Sequence, residues 1–281
     1  TFRREQIKIT RESTLTVKDL ALVLRAQILR ANHTGSPAHF DAAKAIANRI
    51  LSDYWKPEKG LFRISSDSTM VPARCQDVMA VGRSLNELYQ ATLDQHWLKS
   101  ATEIVDHNIQ QFGYSGKILT EVTKEEQIIP LKQFSVSMIF GESTLGISDQ
   151  TLSRLYALTG NEIYGGIVDA HRKYIARQAK GRVVYHTDYI SSCSLGDSPL
   201  MAILQGDIAS KLGKQFISIL NAPKYLSFLT IRPESANPPS PNPADSTVLR
   251  FSAIPDQDKT ELREKFDAWA KHLSDALGVP V

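Results

Sequence analysis

The chain has 281 residues, of which 42% are hydrophobic and 22% charged, enough apolar material for one sizeable core and a smaller second one. Its 33 basic and 30 acidic residues leave a formal charge of +3, scattered along the chain, which argues against a nucleic-acid partner. No apolar run approaches the roughly 18 residues of a bilayer span, and the N-terminus lacks the layout of a secretory signal.

Residues 1–13 are polar and basic and read as an arm or edge strand; the start at Thr1 suggests that something upstream was removed. A helix is expected from Thr16, where Thr16 and Asp19 form a capping-box pair ahead of an apolar stripe of Val17, Leu20, Ala21, Leu24 and Ile28. Ser36 as N-cap and Pro37 in the first turn open a second helix, striped by Phe40, Ala43, Ile46, Ala47 and Leu51. Asn32-His33-Thr34, a glycosylation-type triplet, falls where these helices turn and reads as turn sequence. KPEKGLFRISS then gives a glycine turn and a short extended segment.

The pattern repeats. Val78, Val81, Leu85, Leu88 and Tyr89 mark one helix, and Leu98, Ala101, Ile104, Val105 and Ile109 mark its partner at a constant offset from the stripe of the second helix. Gly116 precedes another extended run, KILTEV. A third copy follows, in which LYALTGNEIY at 155–164 echoes LYQATLDQHW at 88–97, and Gly181 opens RVVYHTDY. The stretch IIPLKQFSVSMIFGESTLG between the second and third copies is a long connection of the kind that carries sites.

After Tyr189 the composition changes. LMAILQ, the Gly206-Asp207 turn, IASKLGKQFISIL and YLSFLTI make a βαβ unit. A Pro-rich linker at 233–246, a short strand TVLRFSA and a helix striped by Leu262, Phe266, Trp269, Leu273 and Leu277 follow. The division expected is an α-hairpin domain over 1–195 and a small α/β region over 196–281.

The run from Phe40 to Gly160, especially QDVMAVGRSLNELYQATLDQHWLKSA, resembles the C-terminal half of spermatogenesis-associated protein 20 and its bacterial YyaL-type relatives. Asp77-Val78-Met79-Ala80 stands at the family's Asp-Tyr-Ala signature, and Leu88 to Thr92 keep its Leu-Tyr-Gln-Ala-Thr. PLMAILQGD is similar to the segment that follows the family's toroid. The resemblance implies a six-hairpin, glycosidase-like (α/α)6 toroid, of which this chain holds three hairpins. The family's thioredoxin-like domain and Cys-x-x-Cys are absent, and Glu142-Ser143-Thr144-Leu145-Gly146 replaces its Pro-Ser-Gly-Asn-Ser. Half a toroid implies a protein partner or second chain to complete or cover it.

Asp77, at a helix start on the cleft end, is the first catalytic candidate, with Arg74 and Arg83 near in sequence; its other reading is a carboxylate favoured by the helix dipole. Glycoside chemistry needs a second carboxylate, for which Glu142 and Glu121 are available. Gly196-Asp197-Ser198 and Gly141-Glu142-Ser143 lack the surroundings of a serine hydrolase. His186 and Asp188 offer two ligands, too few for a metal site. Gly206-Asp207 lacks the glycines of a nucleotide fingerprint, so no cofactor is expected. Tyr54, Trp55, Phe62, Tyr89, Trp97 and Phe112 could stack on sugars, yet most sit on core stripes. Cys75 and Cys193 are too few for a disulfide framework, which favours a reducing compartment. Two functions remain open: a non-catalytic interaction subunit, favoured because the helix stripes fit the family better than the cleft loops, and a carbohydrate-active or glycan-binding module using Asp77 with Glu142.

Overall fold

The computed structural model describes residues 15–66, 69–112, 118–123, 142–180, 200–205, 207–221, 229–233 and 250–252. Three helical hairpins make up most of it: α1 (Val17–Thr34) with α2 (Pro37–Arg49), α3 (Cys75–Thr92) with α4 (Gln95–Phe112), and α5 (Thr144–Thr159) with α6 (Glu162–Ala179). The first helices of the hairpins lie side by side in the order α1, α3, α5, and the second helices flank them. The repeat predicts these hairpins, and their arrangement is the half of an (α/α)6 toroid that the resemblance implies.

The starts of these helices follow from local chemistry. Thr16 Oγ1 accepts from Asp19 N at 3.2 Å while Asp19 accepts from Thr16 N at 3.1 Å, completing the expected capping box. Pro37 sits in the first turn of α2, although the Ser36 side chain makes no cap bond. Each hairpin turns through one left-handed residue: Gly35, Leu93 and Gly160. Leu93, with φ 55°, holds a conformation costly for a side chain, and its burial in the core at 7% exposure offsets that cost. Asn32 lies in the last turn of α1 and is buried.

α2 continues as a π-helical turn, Ile50–Tyr54, into the hairpin β1 (Trp55–Lys56) and β2 (Gly60–Ser65), to which β3 (Met70–Pro72) adds antiparallel. Leu51 therefore belongs to the π turn, whereas its stripe predicted plain helix. KILTEV is represented by a single bridge at Leu119, with no longer strand among its described residues. The tail forms as predicted: β4 (Leu200–Gln205) and β5 (Leu229–Pro233) are parallel across α7 (Lys211–Leu220), and β6 (Arg250–Ser252) pairs antiparallel on the other edge of β4. Its helix starts at Lys211, capped by Ser210, instead of at Ile208, because Asp207 turns the chain first by accepting from Ala209 N.

α3 is the central helix, and every residue from Asp77 to Ala91 is buried. At 100° per residue its sides separate clearly. Ser84 Oγ donates to Ala21 O of α1, and Gly82 lies against Val105 of α4. Thr151 Oγ1 of α5 donates to Met79 O. The remaining side, opposite α4, carries Gln76, Arg83, Glu87 and Gln90. There Gln90 meets the tail: its Oε1 accepts from Ile231 N of β5, and its carbonyl accepts from Asn221 Nδ2 at the end of α7. α7 and β5 touch α1, α3 and α5, and Phe216, Leu220 and Ile231 share one core with the hairpins. The covering that half a toroid needs is thus supplied in part by the chain itself. The expected boundary near 195, the closing helix at 262–277 and the linker beyond Pro233 lie outside the described residues.

Gly82 marks the closest approach of α3 to α4, where a Cβ would meet Val105 Cγ2 at 2.7 Å. Gly82→Ala gains helix propensity worth about 1 kcal/mol but overpacks the contact by about 1–3 kcal/mol. Chemical denaturation should show a net loss, and a favourable coupling with Val105→Ala in a double-mutant cycle.

Candidate functional site

Residue pairs running in register along the inner row show that α1, α3 and α5 are parallel: Gln76 with Glu142, Arg83 with Gln150, and Arg25 and Arg154 with Glu87. Their N-terminal ends therefore gather at one mouth, and the polar residues descend from it in steps.

At the mouth, Glu121 joins α3 to α5. Its carbonyl accepts from Cys75 N at 3.1 Å, and its carboxylate accepts from Thr144 Oγ1. Burial pushes the Glu121 carboxyl above the usual carboxylate range; Arg74 opposes this and the charge of Asp77 adds to it. Glu142 precedes α5, its carbonyl held by Gln76 Nε2. Its carboxylate takes a fork from Arg83, Nη1 at 2.7 Å and Nη2 at 2.9 Å. Burial works to raise this carboxyl too, but Arg83, Arg25 and Lys18 outweigh it and hold Glu142 below the usual range. The Glu142 side chain keeps 28% exposure.

Asp77 is placed differently. It has 0% exposure and accepts from Arg74 N at 2.9 Å, half of a capping box that arginine, having no acceptor, cannot reciprocate. Arg63 of β2 pairs with it at 3.2 Å. Burial raises its carboxyl while Arg74, Arg63 and Lys18 pull the other way. Asp77 lies about 100° around α3 from Gln76, toward α1 and away from the Arg83–Glu142 fork, and its charge is felt at Glu121. Its backbone bond to Arg74 is that of a helix-start carboxylate, and its side chain is fully covered.

One step deeper, Glu87 sits between α1 and α5. Arg25 Nε donates to its Oε2 at 2.7 Å, and Arg154 Nη1 stands 3.8 Å from its Oε1. Burial disfavours its charge, yet Arg25, Arg83 and Arg154 keep Glu87 below the usual range. None of Arg25, Glu87 and Arg154 emerged from sequence motifs. A signal existed: on a helix whose other sides are apolar or small, Gln76, Arg83, Glu87 and Gln90 repeat at seven, four and three residues, a polar stripe aimed away from α4.

The remaining expectations resolve simply. Ser143 is the N-cap of α5, its Oγ accepting from Gly146 N at 3.0 Å. Tyr54, Phe62, Tyr89, Trp97 and Phe112 are core residues, and Trp55 is half-buried. Burial pushes the Cys75 thiol far up, so it is unreactive. No group of three or more metal-binding side chains occurs among the described residues, and no helix there is long and apolar enough to cross a membrane. Gly196 to Ser198, His186, Asp188 and Cys193 lie outside the described residues.

No family model matches the sequence, and no curated protein does. Solved structures do match by fold. A D-mannose isomerase aligns at TM-score 0.50 with 14% identity, covering 66% of this chain and 54% of that one. A GH76 α-mannanase from Bacteroides thetaiotaomicron aligns at TM-score 0.51 with 15% identity, covering 75% of this chain and 58% of that one. The chain thus spans a little over half the length of these structures, and what they share with it is the α/α toroid fold expected from the sequence. The finer family resemblance has no match behind it.

The two mouth carboxylates have opposite linkage signs. Glu142 has a depressed pKa, so its pairing adds stability that is present above the ordinary carboxylate range and lost as pH falls through its folded value. Arg83→Met should cost about 1.5–3 kcal/mol at pH 7 and less toward pH 3. Glu121 has a raised pKa, so its ionisation costs stability as pH rises through the window above its unfolded value. Glu121→Gln should therefore raise the pH 7 melting temperature and lose that advantage in acid.

Proposed function

We propose that the chain acts on a sugar, with proton transfer shared between Glu121 and Glu142 at the mouth of the inner helices. The supporting observation is that two half-exposed carboxylates, both tied to the start of α5, have pKa values driven apart: Glu142 held ionised by Arg83, Glu121 pushed toward the protonated form. Such divergence assigns acid and base roles. Glycoside hydrolysis needs a donor for the leaving oxygen and an ionised partner, and aldose–ketose isomerisation needs a base beside a carbonyl and an acid to polarise it. This pair serves either reaction.

Asp77, fully covered, acts here as a positioning residue. It fixes the first turn of α3, and its charge adds to the upward shift of the Glu121 carboxyl. The interaction-subunit reading rested on helix stripes that fit the family better than the cleft loops and on the partner that half a toroid implies; α7 and β5 lie over part of the hairpins, and the solved structures similar in fold favour the sugar reading. Mannose and mannosides are the first compounds to try, because the two solved structures are a mannose isomerase and a mannanase.

Wild type, Glu121→Gln and Glu142→Gln should be compared for isomerisation of mannose and hydrolysis of aryl mannosides, with glucose equivalents as controls. Each substitution should lower turnover about 10²–10⁴-fold with the fold intact by circular dichroism. Turnover indifferent to both substitutions, or no binding and no turnover on any sugar, would sink the reading.

A further inference from the structure

Among the described residues, the row below the mouth holds more positive charge than it neutralises. There Arg25, Arg83 and Arg154 face Glu87 and Glu142, so three guanidiniums meet two carboxylates. Arg83 is committed to Glu142 by its fork, and Glu87 gives its short contact to Arg25. Arg154 is left over. It has 8% exposure, its one carboxylate neighbour among the described residues is Glu87 at 3.8 Å, beyond hydrogen-bond reach, and its Nε has no partner. Burial weakens its hold on the proton, and the nearby charges of Arg25 and Arg83 weaken it further. Buried guanidiniums are normally forked onto an anion, and leaving one so poorly paired is costly.

We infer that the cleft takes an acidic sugar, whose anionic group, carboxylate or phosphate, is gripped by Arg154 with Arg25 beside Glu87. The guanidinium fork suits either oxyanion. The spacing fits as well. Glu87 follows Arg83 by four residues on α3, a rise of about 6 Å, comparable to the reach from the reacting end of a pyranose to a substituent on its far side. Arg25, with 27% of its side chain exposed, opens the row to solvent. That the rest of the ligand is a sugar rests on the reading above; the anion subsite rests on the guanidinium row alone.

Calorimetric titration at low ionic strength of the full chain with mannose, mannuronate, mannose 6-phosphate and inorganic phosphate tests this. One of the two acidic sugars should bind at least about tenfold more tightly than mannose, and which one does so identifies carboxylate or phosphate. Arg154→Gln should abolish that preference while leaving mannose affinity in place, and Arg154→Lys should keep part of it. Glu87→Gln, which frees both arginines, should tighten acidic-sugar binding; a purely structural row would instead make every ligand weaken together in the Glu87 and Arg154 variants. Acidic sugars binding no better than mannose would overturn the subsite and spare the sugar reading. Phosphate binding lost in Arg154→Gln, with no sugar bound, would uphold the subsite and overturn the sugar reading. Silence from all four compounds would overturn both.

Discussion

Burial of α3 on every side constrains the rest of the molecule, since a helix so enclosed cannot leave a polar side chain to water. Its apolar residues meet α1, α4 and α5, and each polar one must find a partner on a neighbour. Arg83 finds Glu142 at the start of α5, Glu87 finds Arg25 of α1, and Gln90 finds the backbone of β5. Each partner fixes one element relative to α3. Sliding α1 by a single turn would strand Glu87 without Arg25, leaving a buried charge exposed to the full desolvation penalty.

That logic separates what holds the hairpins together from what sets their register. Association comes from area: Leu24, Ile28, Leu85, Leu88, Ile104 and Leu155 are all nearly or wholly buried, each worth about 1.5–3 kcal/mol on transfer from water. Area alone is tolerant of a turn's displacement, since the stripes repeat. The ion pairs contribute little net stability, because desolvation takes back most of the attraction, but their misalignment is expensive. A row of charges across three helices therefore acts as a register lock.

The hairpins were legible because helical signals are local. Thr16 and Asp19 announce α1, Gly160 ends α5, and the stripe of α4 repeats that of α2 residue by residue. Where local signals compete, legibility fails: Leu51 continues the periodicity of α2 but lies in a π turn, whose five-residue bonding leaves no mark on the apolar pattern. The candidate site was legible only in part. Glu121 and Glu142 were available as loop carboxylates without a motif, whereas Asp77 drew notice for its helix start and is enclosed by Arg63 of β2. Sequence gives no means of foreseeing that a strand from the preceding hairpin would cover it. Arg25 and Arg154, more than a hundred residues apart, converge only because three parallel helices bring them level with Glu87.

The tail settles the direction in which the site opens. Gln90 lies at the C-terminal end of the polar stripe, and its bonds to Ile231 and Asn221 place β5 and α7 across that end. The proposed sugar would then approach from the opposite end, where α1, α3 and α5 begin. There the dipoles of all three helices point their positive ends at the entrance, in the same sense as Lys18, Arg63 and Arg74. Anions are drawn in and ionised carboxylates are favoured, so the upward shifts of Asp77 and Glu121 need a cause. Burial supplies it for both, and the charge of Asp77 adds to it at Glu121. The Glu121 carboxyl is shifted upward against a positive field by its specific packing, so in the proposed reaction its readiness to give up a proton depends on that packing staying closed. Loosening Arg63 from Asp77 would, on that proposal, reach Glu121 without touching the sugar.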